Sequence, residues 1–247
     1  GKIKSIDYGE RRKVLSINIE NDKEYNQVEL SNLDKLFSLS SIKNLKEGST
    51  KKIINEAGMW PLIRQRPFSK VADIDSSPKS IFISMKPTEP LAADQVFVLE
   101  HNSIGFLEGI DALSNLTKGD INIVLDENQD PSMLDSLDKV NIHYFSGPHP
   151  SGNVGIHMHY IDPISSKEDS IWYLSVQDVC KIGRLFVDGL ISTSKIITMG
   201  GPGCINPSYL EVFDGTPVSH INDEIELNID ESCIIISGSV LSGNYIN

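Results

Sequence analysis

The chain has 247 residues, 39% hydrophobic and 23% charged, with a net charge of −12. That supplies enough apolar residue for one large or two modest domains, while no run approaches the ~18 apolar residues a membrane-spanning helix needs. The acidic balance makes the chain a poor partner for nucleic-acid phosphates. Cys180, Cys204 and Cys233 are odd in number and far apart. They form neither a disulfide framework nor a C-x-x-C ligand set, so buried thiols in a reducing, cytoplasmic-side location are expected.

The charge is unevenly spread. Residues 1–70 carry 14 Lys+Arg against 9 Asp+Glu, and residues 71–247 carry 8 against 25. The basic end could orient toward an anionic surface. A solvated surface without function explains the same numbers.

The opening Gly-Lys-Ile-Lys has neither Met nor an apolar h-region, so no signal peptide is read and a fragment lacking both ends is expected. Residues 2–8 and 12–20 read as two strands around a turn at Gly9. Such a hairpin is similar to half of a biotinyl or lipoyl carrier domain, though no carrier Lys can be assigned. After a polar linker, Leu33, Leu36 and Phe37 have helical spacing, and Ser49 or Thr50 is a candidate cap for a helix carrying Ile53, Ile54 and Ala57.

Gly58 to Lys70 then packs Trp60, Arg64, Arg66, Phe68 and Lys70 around two prolines. Each Pro lacks an N–H and disfavours helix in the residue before it, so a helix-and-turn joint with outward charges is predicted. Two readings stay open. Cations beside aromatic faces suit a flat, electron-rich ligand or an acidic partner, whereas the aromatics as core plugs and the cations as solvated groups make the segment a joint.

From Ser80 strands and helices alternate. Strands are predicted at 80–84, 121–125, 140–145, 171–176 and 195–199. Helices are predicted at 101–116 (with Ile104, Leu107 and Leu113 on one face), 131–137 and 177–190. The alternation argues for a mostly parallel sheet with helices on both faces. Beyond Gly200 short strands at 209–213 and 233–237 form a smaller α+β unit.

The glycines carry no nucleotide fingerprint. Neither G-x-G-x-x-G nor a P-loop is present; Gly200-Gly201-Pro202-Gly203 is followed by Asn206-Pro207 rather than a helix, and Gly147, Gly152 and Gly155 are wrongly spaced. His157 and His159, in a strand, would share a face, with His143 or Asp162 as a third metal ligand. The competing reading makes these residues and His149 structural partners of a proline-rich loop. Ser237-Gly238-Ser239 is no nucleophile elbow.

Several stretches in fixed order carry a resemblance: Gly58-Met59-Trp60-Pro61-Leu62-Ile63-Arg64-Gln65-Arg66-Pro67-Phe68-Ser69-Lys70, then Glu89-Pro90-Leu91-Ala92-Ala93-Asp94, Ser146-Gly147-Pro148-His149-Pro150-Ser151-Gly152, His157-Met158-His159-Tyr160-Ile161-Asp162-Pro163, and Ser237-Gly238-Ser239-Val240-Leu241-Ser242-Gly243. Together they resemble the A subunit of the bacterial sodium-translocating NADH:quinone oxidoreductase (Na+-NQR), and more distantly the flavoprotein subunit of respiratory complex I. The resemblance implies a partial biotinyl/lipoyl-like β domain over 1–30, a helical joint plus Rossmann-like α/β domain over 31–195, and a β-grasp-like soluble-ligand-binding module over 196–247.

It further implies a peripheral subunit on the cytoplasmic face of the bacterial inner membrane, carrying no cofactor. Flavins, iron–sulfur groups and NADH oxidation would belong to partner subunits, one of them a membrane subunit. Quinone would be the small-molecule partner, with Trp60, Arg64, Arg66, Phe68 and Lys70 as its candidate contacts. A purely structural adaptor and a flavin- or NADH-binding oxidoreductase domain are the alternatives.

Overall fold

The architecture comes from a computed structural model that describes residues 1–24, 26, 42–102, 105–137, 140–228 and 233–246. The helix expected around Leu33, Leu36 and Phe37, and Ile104 of the next predicted helix, lie outside these residues.

Strands β1 (Lys2–Tyr8) and β2 (Val14–Glu20) pair antiparallel as expected. Every residue of both is exposed, including Ile3, Ile6, Leu15, Ile17 and Ile19. Helix α1 (Glu47–Glu56) starts before the expected caps. Its first-turn Glu47 suits the helix dipole and pairs with Lys51 one turn on, whereas Thr50 is buried inside the helix.

The segment read as a turn joint instead adds strands. A single 3₁₀ turn at Trp60–Leu62 leads into β3 (Arg64–Arg66) and β4 (Lys70–Val71). Period-2 alternation explains the correction: Gln65 points inward and is buried, while Arg64 and Arg66 share the other side. The main sheet is therefore mixed. Its order is β4-β3-β8-β5-β6-β7, with β5 (Ser80–Ser84), β6 (Ile121–Asp126), β7 (Val140–Phe145) and β8 (Ile171–Leu174) parallel, and β3 and β4 joining antiparallel at one edge.

Both faces of this sheet are covered, because its strands carry apolar residues on alternate sides. One face carries Ile81, Ile83, Ile121, Ile123, Trp172 and Leu174 against α1, α3 (Phe106–Ser114) and α5 (Val176–Asp188). The opposite face carries Phe82, Val124 and Ile171 against Met158 of α4 (Val154–Ile161). Trp60 and Trp172 meet edge to face at 5.5 Å, and the Trp60 indole N–H donates to the Ala72 carbonyl.

The single helix predicted over 101–116 is two, α2 (Gln95–His101) and α3. Gly105, at φ +96°, caps α3, and a Cβ there would meet the Arg184 nitrogen at 2.6 Å. Chain reversal and close helix contact thus both require glycine. Strand β9 (Ser194–Met199) does not extend the main sheet as expected. Among the described residues it pairs only with β10 (Ser208–Phe213), and β11 (Ile235–Ser237) pairs with β12 (Asn244–Ile246). The helix predicted near 131–137 is a 3₁₀ turn at Ser132–Leu134.

A candidate cleft and an exposed hairpin tip

Strand order decides where a crevice opens. From β5 the chain winds through β6 to β7, then returns to place β8 on the other side of β5. Strands β5 and β8 therefore lie side by side, and their carboxyl ends border one crevice. A cleft of about 620 Å³ lies there. Its lining includes Ser84 at the end of β5 and Lys86 beyond it, Tyr173 of β8 and Ser175 beyond it, the first turn of α4, and Arg66 of β3. The volume falls in the range of small-molecule sites.

Each wall has a local cause. Lys86 is 4% exposed and is ion-paired with Asp126 at the end of β6. That hydrogen bond is the main reason the Asp126 carboxyl is held below the usual carboxylate range. The loop before α4 runs hard against β5, because a Cβ on Gly152 would stand 2.2 Å from the Lys86 carbonyl. Two bonds fix the approach: the Gly152 N–H donates to Thr88 Oγ1 (3.0 Å), and the Ser84 hydroxyl donates to the Gly152 carbonyl (3.2 Å).

Arg66 stands apart from this satisfied network. Its guanidinium carbon lies 5.7 Å from the centre of the Tyr173 ring. Its Nε is buried without a hydrogen-bond partner, and Nη2 is 3.7 Å from where a Cβ on Gly155 would be. Among the described residues no carboxylate forms an ion pair with it. Helix α4 begins beside it with no side-chain cap from Asn153, in contrast to α5, where Ser175 and Asp178 complete a capping box. Burial raises the Asp178 carboxyl above its ordinary range.

The far wall belongs to the 86–95 loop, and the C-terminal strands hold it. Thr198 Oγ1 donates to the Leu91 carbonyl (2.6 Å), the Asp94 N–H donates to the Tyr209 hydroxyl (3.1 Å), and the Ser242 hydroxyl donates to Glu89 (2.8 Å).

The five residues singled out in the sequence are not gathered into one site. Trp60 is buried in the core at 4% exposure, and Arg66 enters the cleft. Arg64, Phe68 and Lys70 remain on the β3–β4 hairpin, where Arg64 Nη2 donates to the Ser69 carbonyl. Phe68 is 87% exposed at φ +76°, followed by Ser69 at φ +50°. A bulky residue in the left-handed region is strained, and this one shelters nothing apolar of its own.

The histidines lie on different elements. His157 and His159 are on helix α4, not on a strand, since the run from Val154 to Ile161 packs a helical face through Met158. His157 Nε2 donates to the Ser151 carbonyl (2.7 Å), His143 shares a bond with Asn122, His149 shares one with Thr88, and Asp162 accepts from Ser80. Among the described residues no three His, Cys, Asp or Glu converge as a metal site. The expectation that all thiols are buried holds for Cys180, pushed up to about 12 by burial, whereas Cys204 is half-buried and Cys233 exposed.

Sequence reasoning missed Lys86, Thr88, Asn153, Tyr173 and Ser175. Lys86 and Thr88 follow β5, Tyr173 lies in β8, and Ser175 and Asn153 each precede a helix, so their meeting becomes readable only once strand order is known. Gly152 and Gly155 are visible in the sequence, but their spacing follows no dinucleotide fingerprint and so does not announce a cleft.

The match to known proteins agrees with this architecture. Residues 45–191 match the family described as NqrA second alpha/beta domain. The chain is 38% identical over 208 residues to the A subunit of the Na(+)-translocating NADH-quinone reductase of Histophilus somni (strain 2336), covering 84% of this chain and 46% of the relative. It is 35% identical over 247 residues to the protein of that name from Actinobacillus pleuropneumoniae serotype 5b (strain L20), covering 98% of this chain and 53% of the relative. With that of Alcanivorax borkumensis it shares 34% over 245 residues, covering 99% and 53%. The chain spans about half the length of these relatives.

Proposed function

Since the chain belongs to the family of the A subunits of sodium-translocating NADH-quinone reductases, we propose that it serves in such a complex as a peripheral part that docks on membrane subunits and helps position quinone. In this reading it sits on the cytoplasmic face, and flavins, iron–sulfur groups and NADH oxidation belong to partner subunits. The β1–β2 hairpin then corresponds to part of a carrier-like β domain, the main sheet to a Rossmann-like domain, and the residues from 196 onward to a β-grasp-like module. No helix among the described residues is long and apolar enough to cross a membrane.

The observation that carries the reading is Phe68, an exposed aromatic held on strained backbone between Arg64 and Lys70. Strain of this kind costs on the order of 1–3 kcal/mol, and a covering partner offsets it. A flat quinone ring can stack on Phe68, and its carbonyl oxygens gain negative charge on reduction, which Lys70 or the planar Arg64 guanidinium can meet. Trp60 acts here from below by anchoring the hairpin through Ala72, whereas Arg66 turns into the cleft.

Lys70→Ala and Phe68→Ala in the assembled complex test it. Losing a charge-assisted bond weakens a quinone-site inhibitor by about one to two decades in affinity. Unchanged inhibitor affinity and turnover in an intact complex would overturn the reading. Dissociation of this chain from the complex would instead assign the tip to protein contact and favour the adaptor.

A further inference from the structure

The cleft beyond β5 and β8 has chemistry that the quinone reading does not use. Its wall brings two positive ends together, the Arg66 guanidinium and the first turn of α4, where the Ile156 and His157 N–H groups bond the Asn153 carbonyl and the Val154 and Gly155 N–H groups precede the first intrahelical acceptor. Lys86 adds no unbalanced charge, because Asp126 neutralises it. Arg66 Nε is buried and unpartnered, and the Tyr173 ring supports the guanidinium from one side only. In a sheltered wall two like-signed ends this close repel each other, and an anion between them reverses the sign of both interactions.

We propose that the cleft binds a small organic anion, a phosphate monoester or a carboxylate, whose charged group bridges the Arg66 guanidinium and the first turn of α4. The rest of the lining defines the ligand further. Val154, Ile156 and Leu174 offer apolar surface for an uncharged body. Glu89, the acid in the lining, is held by the Ser242 hydroxyl on the far wall and disfavours a second negative group there. No glycine-rich turn follows β5, where the chain reads Met85-Lys86-Pro87-Thr88. A pyrophosphate therefore finds no cradle, and one anionic group is the limit.

Calorimetric titration of the full chain with phenyl phosphate, benzoate and neutral phenol tests the proposal. At least one of the two anions binds saturably, phenol does not, and affinity falls as salt rises. The better-bound anion identifies the source, phosphate ester or carboxylate. Arg66→Gln weakens binding roughly 10- to 100-fold, the loss expected for a charge-assisted bond. Gly155→Ala is the second variant. Its backbone is not left-handed, and its methyl would meet only Arg66 Nη2, at 3.7 Å, so it fills the bridge while leaving the fold intact. Lys70→Ala, on the hairpin, binds like the parent, so failure of the quinone reading and failure of this one are separable. Absence of saturable binding by both anions, equal binding of phenol, or unaltered affinity in both Arg66→Gln and Gly155→Ala would overturn the proposal.

Discussion

Arg66 and Phe68 are two residues apart, yet they end in opposite surroundings. Arg66 brings a cation into a sheltered wall and finds no protein acceptor for its Nε, while Phe68 lifts an aromatic ring into water. The contrast arises from one tight hairpin: Arg66 still belongs to the pleat of β3 and follows its side, whereas Phe68 lies beyond Pro67, where the backbone turns with positive φ. One short segment thus serves two chemistries, a polar one needing an anion and an apolar one needing cover. Binding and assembly should therefore be separable by substitution.

The most drastic way to break the comparison is to remove the frame both regions share. Trp172 is fully buried, packs on Trp60 and sits on the strand that pairs with β3. Trp172→Ala is expected to cost about 3–5 kcal/mol, read by urea unfolding, and to abolish cleft and tip functions together. A loss below about 1 kcal/mol would mean the two regions do not rest on this core.

Acid should sharpen the comparison, because it acts on the cleft side. Burial is the main cause that holds the His157 pKa below 6.5 in the folded chain, while the unfolded ring titrates near 6.5. Below that value the unfolded state binds the proton and the folded state resists it. The stability contributed by the neutral ring is therefore complete above about pH 6.5 and is lost as pH falls below it, by at most about 1.4 kcal/mol per pH unit. His143, also lowered by burial, acts in the same direction. His157→Gln keeps a donor for the Ser151 carbonyl and should flatten the fall in melting temperature between neutral and mildly acid pH. An unchanged slope would show that this ring does not anchor α4.

The smallest expected effect is at the tip. Phe68→Ser should alter unfolding free energy by no more than about 0.5 kcal/mol, since the ring touches no core. A clearly larger destabilisation would show that the tip packs on its own chain, and the contrast with Arg66 would vanish.

Much of the frame was legible from local pattern. The run Ile171-Trp172-Tyr173-Leu174 reads as a strand, and the helix expected over 177–190 forms as α5. What was not legible depends on distant partners. Arg64-Gln65-Arg66 is too short and too charged to announce a strand, and it becomes one only because β8 offers its edge. The histidine run, expected to place His157 and His159 on one face of a strand, is helical because Met158 covers a sheet face. The cleft was invisible for the same reason, since nothing near Ser84 or Ser175 states that their strands become neighbours.

The bonds holding the far wall have a temporal consequence. Leu91–Thr198, Asp94–Tyr209 and Glu89–Ser242 join residues separated by 107, 115 and 153 positions. Contacts of such long sequence separation close late, because loop closure must precede any reward. During synthesis the parallel strands can assemble as soon as β8 emerges, but the cleft acquires its last wall only when the C-terminal strands arrive. A chain interrupted near residue 200 should thus show native-like sheet by circular dichroism and no competent site.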